Sequence, residues 1–144
     1  MTRGPAPFPA RSGPVSKAGA SAAVTGEIAL QVPIEQLYER RHLFHGPEYQ
    51  GIVAMDAFGT DGAIGRLVTK PAPGSLLDNA GQVFGFWVAA RADRDRLVLP
   101  TSIDRISYRG PHPSPGTEVR CVVNVTEWAD QLVRCDPALT VDGT

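Results

Sequence analysis

The sequence predicts an α+β fold in which an antiparallel sheet wraps one long apolar helix. Three observations carry that expectation. Residues 51–70, GIVAMDAFGTDGAIGRLVTK, read as two alternating runs joined at Thr60-Asp61-Gly62, the pattern of a hairpin. Residues 76–91 follow as a helix that is apolar on nearly every side, and such a helix is enclosed by its surroundings. Consecutive strand-like runs then close the chain, and consecutive strands pair antiparallel.

The first 26 residues differ from the rest. They carry Pro5, Pro7, Pro9 and Pro14, basic Arg3, Arg11 and Lys17, and no acid. That composition offers too little apolar surface to offset chain entropy, so residues 1–26 are expected to be a flexible linker and 27–144 the folded domain. The prolines break the amphipathic helix that a transit peptide would need. In VPIEQLYERR, Pro33 is placed to start a short helix with Leu37 and Tyr38 on one side. HLFHGPEYQG then turns at Gly46-Pro47.

After the hairpin, Pro71, Pro73 and Gly74 interrupt the chain and Ser75 is placed as an N-cap for the long helix. Gly81 and Gly85 within that helix would admit closely packed neighbours, at some cost in helix propensity. RLVLPTSIDRISYRG and GTEVRCVVNVTEW read as strands separated by the loop PHPSPG. QLVRCDPALTVDGT begins a further strand, interrupted at Pro137, with a turn expected at Asp142-Gly143. The order is hairpin, buried helix, then strands: a single fold of hot-dog type.

Composition narrows the function classes. A chain of 144 residues suits one domain with a real core, and 42% hydrophobic with 20% charged residues excludes wholesale disorder. A net charge of -1 without a basic stripe argues against nucleic-acid binding. No apolar stretch approaches the roughly 20 residues of a membrane span. Cys121 and Cys135, without CxxC spacing, fit neither a zinc site nor a secreted disulfide framework and read as buried, reduced core residues. A cytoplasmic protein is expected.

Asp78 is the residue that asks for a reason. It stands among Leu76, Leu77, Ala80, Val83, Phe84, Phe86, Trp87 and Val88, with Arg91 the nearest cation in sequence. Burying an ionised carboxylate is costly unless it is paired or hydrogen-bonded. Gln82, four positions on, shares its helix face and can bond the carboxyl group. Two readings stand side by side. Ser75-x-x-Asp78 fits a capping box that only closes the helix start. Alternatively, a carboxyl group in an apolar pocket is held protonated and serves as a general acid.

His45, before Gly46-Pro47, is either a hydrogen-bonded structural residue or a catalyst, since its titration range permits both. His42 and His112 read as solvent-facing, and no HExxH frame suggests a metal. Tyr49, Trp87 and Tyr108 read as core aromatics that would otherwise line a pocket. Arg40-Arg41 reads as a solvated helix end or a contact for an acidic partner.

Three stretches together carry a family resemblance. LFHGPEYQGI resembles the [Y/H]GPxFQG segment of dehydratase domains in modular type I polyketide synthases. LLDNAGQVFGFW resembles their DxxxQ helix, and LVLPTSIDRISYRGPHPSPGTEVRCVVNV is similar to the strands and Pro-rich loop that follow. The similarity runs from about Glu35 to Leu139 in family order.

The resemblance implies a double hot-dog fold that removes water from a β-hydroxyacyl chain tethered through phosphopantetheine to an acyl carrier protein. In this family an N-terminal half supplies a histidine base within HxxxGxxxxP and a C-terminal half supplies the aspartic acid. The chain matches the C-terminal half. By resemblance, Asp78 protonates the departing hydroxyl and Gln82 orients it. His45, Gly46, Pro47 and Tyr49 line the substrate, with His45 standing where many relatives carry tyrosine.

No HxxxGxxxxP occurs in the 144 residues, so the resemblance implies a partner half or a larger synthase, and a chain that stops before a closing strand. A dimer is expected, and neither metal nor cofactor is implied, because acid–base elimination needs none. A non-catalytic acyl-binding remnant and a stand-alone hot-dog hydratase or thioesterase are the alternatives.

Overall fold

In a computed structural model, which describes residues 24, 26, 28, 29, 33–39, 43–91 and 98–141, five antiparallel strands lie side by side in sequence order. They are β1 (Ile28–Ala29), β2 (Ile52–Phe58), β3 (Gly62–Val68), β4 (Glu118–Trp128) and β5 (Val133–Val141). Helix α1 (Ile34–Glu39) precedes a 3-10 turn over Pro47–Tyr49, and helix α2 (Ser75–Arg91) joins the hairpin to β4. The architecture is α+β, a single hot-dog fold.

The β2–β3 hairpin forms where alternation placed it, with Gly59 N–H bonded to Gly62 O at 2.8 Å across the turn. Gly62 must be glycine, because a Cβ there would collide with Val123 O on β4. Gly65 lets the helix and sheet close together. A Cβ on it would stand 3.1 Å from Val83 Cγ2 and 3.3 Å from Met55 Sδ.

Helix α2 lies across β3 and β4. Ala80, Val83, Trp87 and Val88 join Leu67, Val119, Cys121 and Val123 in one core. Each fully buried Val or Leu contributes on the order of 1.5–3 kcal/mol relative to exposure. The Trp87 indole donates to Gly59 O at 3.0 Å, which satisfies its one polar atom inside that core.

Several expectations need correction. The helix is not enclosed on all sides: Leu77 is 43% exposed, and Gly81, Ala89 and Ala90 face outward. Among the described residues, the sheet packs against the face that carries Ala80, Val83, Trp87 and Val88. Nothing lies within 4 Å of a Cβ built on Gly81 or Gly85, so close packing does not explain either glycine. Ser75 is the first helical residue, and its hydroxyl donates to Lys70 O at 3.2 Å rather than capping α2.

Residues 98–117 contain no strand, against the reading of RLVLPTSIDRISYRG. Alternation reports strand propensity, but a strand also needs a ladder partner. Here Pro100 splits the run, Asp104 is held by the Arg134 guanidinium at 2.8 Å, and Leu99, Ile103, Ile106 and Tyr108 are exposed. Tyr108, at 75% exposure, is therefore not a core aromatic. Strand β5 runs through Pro137, which is tolerated because β5 is an edge strand. Of the two cysteines, Cys121 is buried and Cys135 only partly so; both are free thiols. Val24, inside the segment expected to be linker, is buried against Ala57, Ile64 and Val122. The turn expected at Asp142-Gly143 and the residues Arg40, Arg41 and His42 lie outside the described residues.

Candidate active site

The site is built where the segment from α1 to β2 crosses the start of α2. Leu37 buries α1 against the core, and Leu43 N–H returns to Leu37 O at 3.0 Å. That closure delivers Phe44, His45 and Gly46 to the helix. Pro47 then opens the 3-10 turn as its first residue, where a missing N–H costs nothing, and Tyr49 N–H bonds Gly46 O at 2.9 Å. Gln50 Nε2 donates to His45 O at 2.8 Å and folds the segment back on itself.

Asn79 fixes this segment to α2. It is fully buried, its Nδ2 donates to Ser75 O at 2.6 Å, and its Oδ1 accepts from Gly51 N–H at 2.9 Å. Gly51 has no room for a side chain, since a Cβ would lie 2.5 Å from Asn79 Nδ2 and 2.9 Å from Val68 O. Gly46 is different. Its backbone is extended and a Cβ would meet nothing within 4 Å, so neither conformation nor packing requires glycine there.

Asp78 and Gln82 come together as the spacing predicts, with Gln82 Nε2 donating to Asp78 Oδ2 at 2.7 Å. The other Nε2 hydrogen serves Tyr49 O at 2.8 Å, and Gln82 Oε1 accepts from the Tyr38 hydroxyl at 2.9 Å. Every polar position of the Gln82 amide thus has a partner, and its side chain is buried. His45 Nε2 stands 3.5 Å from Asp78 Oδ2, while its ring stacks on Phe44 at 4.7 Å between centroids. His45 Nδ1 is buried without a hydrogen-bond partner among the described residues.

This geometry decides against the capping box. Asp78 uses its carboxyl group on Gln82 and His45, while Ser75 N–H bonds Ala72 O at 3.2 Å. The expected burial is corrected too: the Asp78 side chain is 38% exposed. Its apolar sequence neighbours lie around the helix, whereas Asp78 itself meets Gln82 and His45 and is partly open to solvent.

Pro47 is exposed at the turn, and Tyr49 is half-buried with its hydroxyl donating to Pro73 O at 3.3 Å. An open cleft of about 350 Å³ is lined by Tyr38, Leu43, Phe44 and His45. A second, of about 550 Å³, runs past Pro47, Tyr49, Lys70 and Pro73. Trp87 belongs to the core, and His112 is exposed with Nδ1 2.9 Å from Pro113 O.

Tyr38 is the residue that sequence reasoning missed as a member of the site. Burial, followed in size by an opposing Ile52 N–H bond and then by the Asp78 charge, pushes its phenol up to about 12, so it is a neutral donor. Burial likewise pushes the Cys121 thiol up to about 12 and the Cys135 thiol up to about 11.

The hot-dog domain thus brings a carboxyl group, the buried amide that grips it and a histidine together at one place on the fold. The sequence profile of the polyketide synthase dehydratase N-terminal domain matches residues 13–143. The chain belongs to the polyketide synthase dehydratase family. No curated protein and no solved structure gives a significant match. Among the described residues, no helix is long and apolar enough to cross a membrane.

Proposed function

We propose that the chain is the acid-donating, C-terminal half of a polyketide synthase dehydratase, eliminating water from a β-hydroxyacyl thioester on an acyl carrier protein. One observation supports this most directly: the 2.7 Å bond from the buried Gln82 amide to Asp78, whose other neighbour is His45 at 3.5 Å. The matching profile is described as an N-terminal domain; the C-terminal assignment rests on Asp78 and Gln82 in the DxxxQ frame, the HGPxYQG turn, and the lack of HxxxGxxxxP in these residues.

In this reading a base on a partner half removes the α-proton and the electron pair forms the α,β double bond. The β-hydroxyl leaves as water with the proton from Asp78. Gln82 holds one carboxyl oxygen, leaving Oδ1 to carry the transferable proton toward the substrate. His45 Nε2 contacts the substrate hydroxyl, and Gly46, Pro47 and Tyr49 shape the wall along which the phosphopantetheine arm lies.

A partner half over the cleft would also cover the exposed Asp78 and dry the site, which strengthens each of these interactions. Residues 1–26 would connect this half to the rest of a synthase, and the pairing of halves or copies would be dimeric. The 38% exposure of Asp78 in the single chain favours one second reading, an acyl-binding remnant without turnover.

The experiment is an elimination assay. The chain alone and the chain combined with a base-bearing half are each given a β-hydroxyacyl carrier-protein thioester, and enoyl product is measured. Turnover only in the combination supports the proposal; no turnover in either supports the remnant.

A further inference from the structure

We infer that Tyr38 is a positioning residue that sets the direction of the Gln82 amide and, through it, the aim of the Asp78 carboxyl group. The inference rests on the dehydratase reading above and names a member of that site which the DxxxQ and HGP segments do not contain.

An amide side chain has two ends of similar shape and opposite hydrogen-bonding character, so its direction is set by its partners. Gln82 has three. Tyr49 O can only accept, and it takes one Nε2 hydrogen at 2.8 Å. Asp78 Oδ2 takes the other at 2.7 Å. The oxygen end points to the Tyr38 hydroxyl at 2.9 Å, and a hydroxyl can donate or accept. The fold removes that ambiguity. Ile52 N–H, the first residue of β2, donates to the Tyr38 oxygen at 3.4 Å and leaves the phenol hydrogen free for Gln82 Oε1. A phenol pushed up to about 12 keeps that hydrogen throughout the working pH range.

The result is a chain of fixed polarity, Ile52 N–H to Tyr38 to Gln82 to Asp78. Because the amide meets Asp78 with hydrogen rather than oxygen, Asp78 Oδ2 is always an acceptor, and the acidic proton is confined to Oδ1. Without the Tyr38 hydroxyl, Gln82 Oε1 would be a buried acceptor with no partner, and the amide would gain by turning toward water at the cleft. The carboxyl group would then lose its fixed donor.

The test uses two readouts on the same variants. In the full chain, nuclear magnetic resonance of the Gln82 side-chain amide should give two separate, exchange-protected hydrogens. In Tyr38→Phe that protection should be lost, while the melting temperature shows that the fold persists. With a base-bearing half added, Tyr38→Phe should lower kcat roughly 10-fold, within the range of one lost hydrogen bond, and leave KM nearly unchanged. In a Gln82→Ala background the same substitution should have no further effect on kcat, because the relay is already broken.

A Gln82 amide as protected in Tyr38→Phe as in the native chain would overturn the inference. So would an equal loss of kcat in the Gln82→Ala background, since Tyr38 would then act through packing. Asp78→Asn separates this failure from that of the function. If Asp78→Asn abolishes turnover and Tyr38→Phe does not reduce it, the role of Tyr38 fails alone. If Asp78→Asn turns over fully, the dehydratase reading fails and the role of Tyr38 with it.

Discussion

Gln82 Nε2 lies 2.7 Å from Asp78 Oδ2 and 2.8 Å from Tyr49 O, so one buried amide ties the acid of α2 to the 3-10 turn beside it. The first bond is local, one helical turn long. The second crosses 33 residues of chain, so it exists only once the segment has folded back over the helix.

That dependence makes Gly51 a sensitive position. Gly51→Ala forces a methyl group against Asn79 and against Val68 O, and backbone oxygen cannot move aside. Overpacking of this kind costs about 1–3 kcal/mol. Urea unfolding of Gly51→Ala should show a lower midpoint with an unchanged slope. Native-like stability would mean that the segment is not held as tightly as described.

Asn79→Ala tests the same junction from the helix side. It leaves Gly51 N–H without its buried acceptor, a loss of about 1–3 kcal/mol. Amide hydrogen exchange at Gly51 should accelerate markedly in this variant, and an unchanged rate would contradict the role given to Asn79.

Tyr38 makes stability depend on alkaline pH. Its folded phenol is raised to about 12 against an ordinary 10, so the folded state holds this proton more tightly than the unfolded chain does. The associated stability is complete below about pH 10 and is lost as pH rises toward 12. Denaturant unfolding followed from pH 9 to 11.5 should show a decline that is smaller in Tyr38→Phe. Identical declines in the two proteins would show that Tyr38 ionises freely.

The thiols provide a test of packing. With Cys121 raised to about 12 and Cys135 to about 11, neither supplies much thiolate near pH 8. A colorimetric thiol reagent should react slowly with the folded protein and promptly with both cysteines after unfolding. Fast reaction of the folded chain would contradict the placement of β4 and β5.

Local pattern made much of this fold readable. The hairpin follows from alternation around Thr60-Asp61-Gly62, and α2 begins at Ser75 because Pro71, Pro73 and Gly74 end what precedes it. The Asp78–Gln82 bond follows from spacing alone. Tyr38 was not legible as a site residue, because its bond to Gln82 spans 44 positions and no local spacing announces it. Asp78 was misjudged in burial, since neighbours along a helix point around it in all directions and do not surround one member. Residues 98–117 misled for a further reason: their alternation is real, but no strand among the described residues pairs with them.

If Asp78 donates the proton that lets the hydroxyl leave, Asp78→Asn removes that step and little else. Asparagine keeps the shape and an oxygen able to accept from Gln82 Nε2, but it has no transferable acidic proton. Turnover of a β-hydroxyacyl carrier-protein thioester is measured on the chain combined with a base-bearing half, alongside the melting temperature of each protein. The melting temperature should stay within a few degrees of native while turnover falls about 10²–10⁴-fold, the usual loss for a general acid. Full turnover by Asp78→Asn would contradict that role for Asp78.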